Sequence, residues 1–104
     1  MARIKCLVNG EIDAATRTKV ADGLCRIHRS HFGADPTVEF TEVEAGRWYT
    51  GGQPSTASMV LGSVPPGTDQ SVRETVMDEM ARFFSSATDT DYHHVMVVAA
   101  DARH

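Results

Sequence analysis

The sequence predicts an α+β fold, built from a duplicated strand–helix–strand unit. Three observations carry that prediction. The order strand, turn, helix, turn, strand runs over residues 2–43 and again over 57–100. The two helical stretches are of almost equal length. A helical crossover makes the strands it joins parallel, and right-handed crossovers place both helices on one face of a single four-stranded sheet. At 104 residues the chain is one domain, 1–104. The second sheet face is left uncovered. Parallel strands rarely leave a face in water, so a self-associating protein is expected.

The elements follow in order. Residues Ala2–Val8 read as a strand, because Ile4, Cys6 and Val8 alternate with Arg3 and Lys5. "NGEID" is a turn, and Asp13 a fitting N-cap. From Ala14 the period changes to that of a helix. Val20, Leu24, Ile27 and His31 form its apolar stripe, flanked by Ala21 and His28. Gly33 should stop this helix, and Pro36 bars its continuation. "TVEFTEV" is the second strand. Glycines bracket "RWYT", which reads as a short ribbon. "ASMVLGSV" is the third strand, and "PPGTD" a turn closing on Thr68 or Asp69 as the next N-cap. Val72, Val76, Met80, Phe83 and Phe84 mark the second amphipathic helix, "SSATDTD" the loop after it, and "YHHVMVVAA" the last strand.

Composition sets limits on function. The chain is 41% hydrophobic and 23% charged, with a net charge of −4. That balance argues against a nucleic-acid binder, which shows a basic face. No apolar run approaches the roughly 18 residues that span a bilayer, so no membrane role is expected. Glu11 and Asp13 follow the basic start too soon for a signal peptide, and a cytoplasmic location is expected. Cys6 and Cys25 lie on different elements and are expected to be reduced there. No G-x-G-x-x-G or G-x-x-x-x-G-K occurs, so no cofactor is expected.

The segment "IHRSHFGADPTVEFTEVEAGRWYTGGQ" carries a histidine–arginine pair late in the first helix, a following glycine, a V-x-F strand, an A-G pair and a G-G-Q run. With the duplicated architecture, it resembles the tautomerase superfamily, and within it the cis-3-chloroacrylic acid dehalogenase branch. The resemblance covers about residues 1–100 and is most specific over 27–53. It implies a homotrimer with sites between subunits. It also implies catalysis by an amino-terminal proline, acting as a base or acid on a small anionic or carbonyl compound. Here the chain reads Met1-Ala2-Arg3, without that proline. His28 matches the branch's site histidine. Pro65 and Thr68 stand where its two carboxylate-binding arginines are, and Val98 where it has a tyrosine. Its activating glutamate falls beyond the last residue here. Dehalogenation is therefore not expected. The expectation is weak or altered isomerase activity; the alternative is a non-catalytic small-molecule-binding or structural trimer.

The candidate catalytic groups are the terminal amine, on Met1 or Ala2, and His28. A primary α-amine has an ordinary pKa of about 7.7–8.0, and burial lowers it toward neutrality. His28 and His31 equally suit a helix C-terminus, where an imidazole meets the dipole and the last carbonyls. Arg3, Arg47, Trp48 and Tyr49 are the candidate substrate-binding residues: cations for an anion and an aromatic wall. Trp48 and Tyr49 suit a subunit boundary as well. Lys5 and Arg3 can meet a substrate or pair with Glu39. Arg73 should be solvated on its helix. His28, His31, His93, His94, Cys6 and Cys25 show no ligand spacing that specifies a metal, and none is expected.

Overall fold

The computed structural model describes residues 2–44, 47–54 and 57–101. Strand β1 spans Arg3–Asn9, helix α1 Ala14–Phe32 and strand β2 Thr37–Val43. A two-stranded ribbon follows, β3 (Tyr49–Thr50) with β4 (Gln53–Pro54). Then come β5 (Ser58–Val64), α2 (Gln70–Thr88), a 3-10 turn at Tyr92–His94, and β6 (Val95–Asp101). The sheet order is β2-β1-β5-β6. β1 pairs β2 in parallel and β5 pairs β6 in parallel, as the crossovers require. The two halves join by antiparallel pairing of β1 with β5.

Alternation decides which face is covered. Ile4, Cys6 and Val8 of β1 and Val60 and Val64 of β5 are buried under the helices, with Val20, Leu24, Val76, Met80 and Phe84. Burial pushes the Cys6 thiol up to about 12, so it behaves as a small apolar side chain. The other face is bare in a single chain. It carries Met96, 46% exposed, and Val98, 45% exposed, on β6. Their register neighbours Met59 and Leu61 sit on β5. Beyond these, Lys5 lies opposite Glu39, and Arg3 opposite Thr37. This face is thus apolar along β5–β6 and charged along β1–β2.

Helix α1 starts as expected, with Asp13 Oδ1 accepting the Thr16 amide at 2.7 Å. It stops at left-handed Gly33, φ 72°, whose N–H donates to the Arg29 carbonyl at 2.8 Å. Its stripe is rotated from the expected one. Val20, Gly23, Leu24 and His28 are buried, while Ile27 and His31 are half-buried. The i, i+4, i+8 row of Val20, Leu24 and His28 goes to the interior. His31 lies toward α2, where its Nε2 meets Glu79 Oε1 at 2.8 Å. Gly23 of α1 lies against the Phe83 ring of α2: a Cβ there would stand 2.0 Å from Phe83 Cζ.

Two other expectations are corrected. α2 continues through Ser85–Thr88, which had read as loop; Thr88 donates its hydroxyl to the Phe84 carbonyl at 2.7 Å, and Asp89 takes the left-handed stop. Tyr92–His94 is a 3-10 turn and not the head of the last strand. Asp91 accepts the His93 amide at 2.9 Å and fixes it, so the strand begins at Val95. The ribbon forms as expected, with Gly51 and Gly52 both at positive φ in its two-residue turn.

Candidate functional site

The start of β1 and the end of α1 meet at one end of the sheet. β1 and β2 are parallel, so their first residues lie side by side, and the Thr37 amide donates to the Ala2 carbonyl at 3.0 Å. The crossover helix runs back between them and brings His28 to the same end. The imidazole is only 2% exposed. Its Nδ1 lies 3.0 Å from the Ala34 carbonyl oxygen. A carbonyl only accepts, so Nδ1 carries the proton. Nε2 is buried with no partner among the described residues. The Phe32 ring stands 4.8 Å away, tilted.

Between His28 and Ala2 lies the segment Gly33–Pro36. Pro36 is buried, while Ala34 and Asp35 are exposed. Asp35 Oδ1 accepts from Arg29 Nε at 2.5 Å and from the Cys25 thiol at 3.4 Å. These bonds, Arg29's first, hold the Asp35 carboxyl below the usual range. Burial, then the neighbouring carboxylate, pushes the Cys25 thiol up, away from the reactive thiolate.

Arg3 shares this end of the sheet. Its amide donates to Ser63 Oγ at 2.8 Å, and the Ser63 hydroxyl donates back to the Arg3 carbonyl at 3.1 Å. β5 runs antiparallel to β1, so its last residues and those of β6 also come here. They bring Arg73, which departs from its expected solvated place. Its side chain is 16% exposed. It donates to the Thr68 carbonyl at 3.1 Å and the Ala99 carbonyl at 3.4 Å, and pairs with Asp101. Helical position alone pointed outward; the returning β6 edge covers it. The complementary Asp101 at the strand end was the signal available in the sequence.

Arg47, Trp48 and Tyr49 are not brought to this place within one chain. β2 carries the backbone to the opposite end of the sheet, and the ribbon leaves from there. Arg47 Nε pairs with Glu44 at 3.0 Å, both exposed. Trp48 is half-buried and Tyr49 is 59% exposed. Met1 lies outside the described residues. A cavity of about 260 Å³ at the far end is lined by residues including Asn9, Asp13, Ser58, Thr88 and Thr90. Another of about 300 Å³ lies between α2 and β6, against Met77, Tyr92 and Val97. His28 and Ala2 line neither. Among the described residues no group of three or more His, Cys, Asp or Glu is arranged to hold a metal ion, and no helix is long and apolar enough to cross a membrane.

No family model matches the sequence, and no curated protein matches it. Solved structures do. The crystal structure of native Ps01740 superposes with a TM-score of 0.88 at 26% identity, covering 95% of this chain and 92% of that one. A fused 4-OT, described as a symmetric trimer, gives 0.87 at 16% identity, covering 95% and 84%. N1, a member of the cis-3-chloroacrylic acid dehalogenase family, gives 0.83 at 19% identity, covering 94% and 74%. The structural neighbours of this chain are thus members of the tautomerase superfamily, and it shares their fold, as the resemblance in its sequence implied.

Proposed function

We propose that this protein is a tautomerase-superfamily homotrimer with weak or altered isomerase activity on a small carbonyl or carboxylate compound, working in the cytoplasm without the proline base. The observation that carries this is the placement of Ala2 and His28. Both are hydrogen-bonded to one short stretch of chain, through Thr37 and Ala34. A primary amine at the start of β1 removes a proton next to a carbonyl and returns it elsewhere, the step an enol–keto interconversion needs. Whether Met1 or Ala2 bears that amine follows from processing. Arg3 at the same end attracts an anionic substrate, and Arg73 lies nearby once Asp101 is displaced. Arg47, Trp48 and Tyr49 join such a site from a neighbouring subunit. The bare sheet face supports the trimer: Met96 and Val98 are left half in water on strands that ordinarily have both faces covered.

Ketonisation of phenylenolpyruvate, followed by ultraviolet absorbance, tests the reading. A slow rate above buffer is expected. A form beginning with proline in place of Ala2, its initiator removed, is expected to be faster. Rates equal to buffer in both would overturn it. One observation favours a second reading, a non-catalytic binding or structural trimer: His28 is sealed from solvent at 2% exposure.

A further inference from the structure

We propose that Asp101 is a built-in competitor at Arg73: its carboxylate stands where the carboxylate of a small ligand docks, and the ligand enters by displacing it. Three observations lead there. The first is how the guanidinium is held. Nε donates to the Thr68 carbonyl at 3.1 Å and Nη1 to the Ala99 carbonyl at 3.4 Å, while Nη2 meets Asp101. The two carbonyls aim the group but bring no charge to it. The side chain is only 16% exposed, and a covered cation demands a carboxylate beside it. The guanidinium fork fits the carboxylate of a ligand as well as that of a side chain.

The second observation is which partner can leave. Arg73 is largely covered, whereas the Asp101 side chain is 58% exposed. Displacement needs only a rotation of that side chain, and exposed side chains change rotamer readily. The backbone of Asp101 stays paired beside Val64. The guanidinium therefore remains aimed when the acid turns away, and the place it leaves is reached from solvent.

The third is register. Ile4 lies opposite Gly62 in the antiparallel β1–β5 pair, so the same register brings Ala2 level with Val64. Val64 is in turn the partner of Asp101. Ala2, Val64 and Asp101 thus form one row across three strands, and alternation puts all three on the helix face. Neighbouring strands lie about 4.8 Å apart, so the backbones of Ala2 and Asp101 are roughly 10 Å apart. A small monocarboxylate with a carbonyl a few bonds away spans from Arg73 toward the start of β1. The cation comes from α2, and not from the turn at Pro65–Thr68, which has no arginine. That the far end of the ligand is the carbonyl acted upon rests on the isomerase reading above; the competition at Arg73 does not.

Titration with sodium benzoate against sodium chloride at equal ionic strength tests it, followed through the Arg73 Nε–H signal of nitrogen-labelled protein and by melting temperature. Asp101→Ala and Asp101→Asn should each bind benzoate about tenfold more tightly than the parent, since a site free in only a fraction of molecules binds with its affinity reduced by that fraction. The Arg73 signal should shift in both variants, and in the parent at higher concentration. Benzyl alcohol, which lacks the charge, should leave it in place. Equal affinities in parent and variants, no binding to any of them, benzyl alcohol gaining as benzoate does, or shifts that bypass Arg73 would overturn the competition. Should one variant not fold, the other decides. Tighter benzoate binding at Arg73 without isomerase activity would remove the proposed function and leave this site standing. Isomerase activity in a protein whose Arg73 ignores benzoate would do the reverse.

Discussion

Substituting lysine for Val98 tests the proposed trimer on its bare sheet face. Val98 sits on the bare sheet face at 45% exposure, beside Met96 at 46%. Fully burying such a side chain contributes about 1.5–3 kcal/mol. Completing a burial that is already half done contributes about 1 kcal/mol for each of the two, or roughly 2 kcal/mol per subunit. Val98→Lys removes about half of that. It also asks an ammonium to enter an apolar surface, at a cost of several kcal/mol per ion. The nearest register neighbours across β5 are Leu61 and, one strand further, Lys5, so no carboxylate stands opposite to receive it. A net loss of about 3 kcal/mol per subunit weakens each contact more than a hundredfold. Light scattering after gel filtration at micromolar concentration should give three times the chain mass for the parent and one chain mass for the variant. Ser86→Lys, on an exposed position of α2, should match the parent. A variant that keeps the parent mass, or a parent that is already a monomer, would refute the reasoning.

Other expectations follow from the same contacts. Gly23→Ala gains about 1 kcal/mol of helix propensity, yet its Cβ meets the Phe83 ring at 2.0 Å; the overpacking cost of about 1–3 kcal/mol exceeds the gain, so the melting temperature should fall and Phe83→Leu should recover part of it. Arg73→Met strands two carbonyls and Asp101 and should lower stability by about 1–3 kcal/mol in urea titration, whereas an unchanged midpoint would show the clamp to be idle. Asp13 is held below the usual carboxylate range by the Thr16 amide and hydroxyl. Its folded value is depressed, so its contribution is complete above the unfolded value near 3.8 and is lost as the pH falls through the lower folded one. Asp13→Asn should keep the cap and flatten that part of the acid melting curve, while Asp13→Ala should lower the melting temperature at neutral pH by several degrees.

Much of the architecture was legible in the chain because its signals are local. Asp13 and Gly33 bound α1 where the sequence placed them, since capping and left-handed stops depend on a few neighbouring residues. The misjudged boundaries were set by short side-chain bonds with ambiguous local patterns. Ser85–Thr88 looks like loop, but Thr88 bonds back to the helix. Tyr92–His94 looks like strand, but Asp91 turns it. The candidate site was less legible. Resemblance and side-chain chemistry nominated its candidates, Arg73 was expected in solvent, and their arrangement depends on partners more than 20 positions away: Ala2 with Thr37, Arg3 with Ser63, Arg73 with Asp101.

Taken alone, the order of residues determined two alternating strand–helix–strand halves, the helices' shared face, and a sheet left half dressed. Periods of two and 3.6 are properties of the backbone, so they survive in any context. Only the tertiary structure decided which histidine goes inside. His28 and His31 are three positions apart and look alike on a helical wheel. The close crossing at Gly23 and Phe83, together with the sheet below, sets the rotation of α1, and with it sends His28 to the Ala34 carbonyl and His31 to Glu79. Rotation about a helix axis is fixed by what the helix packs against, and no local pattern encodes that.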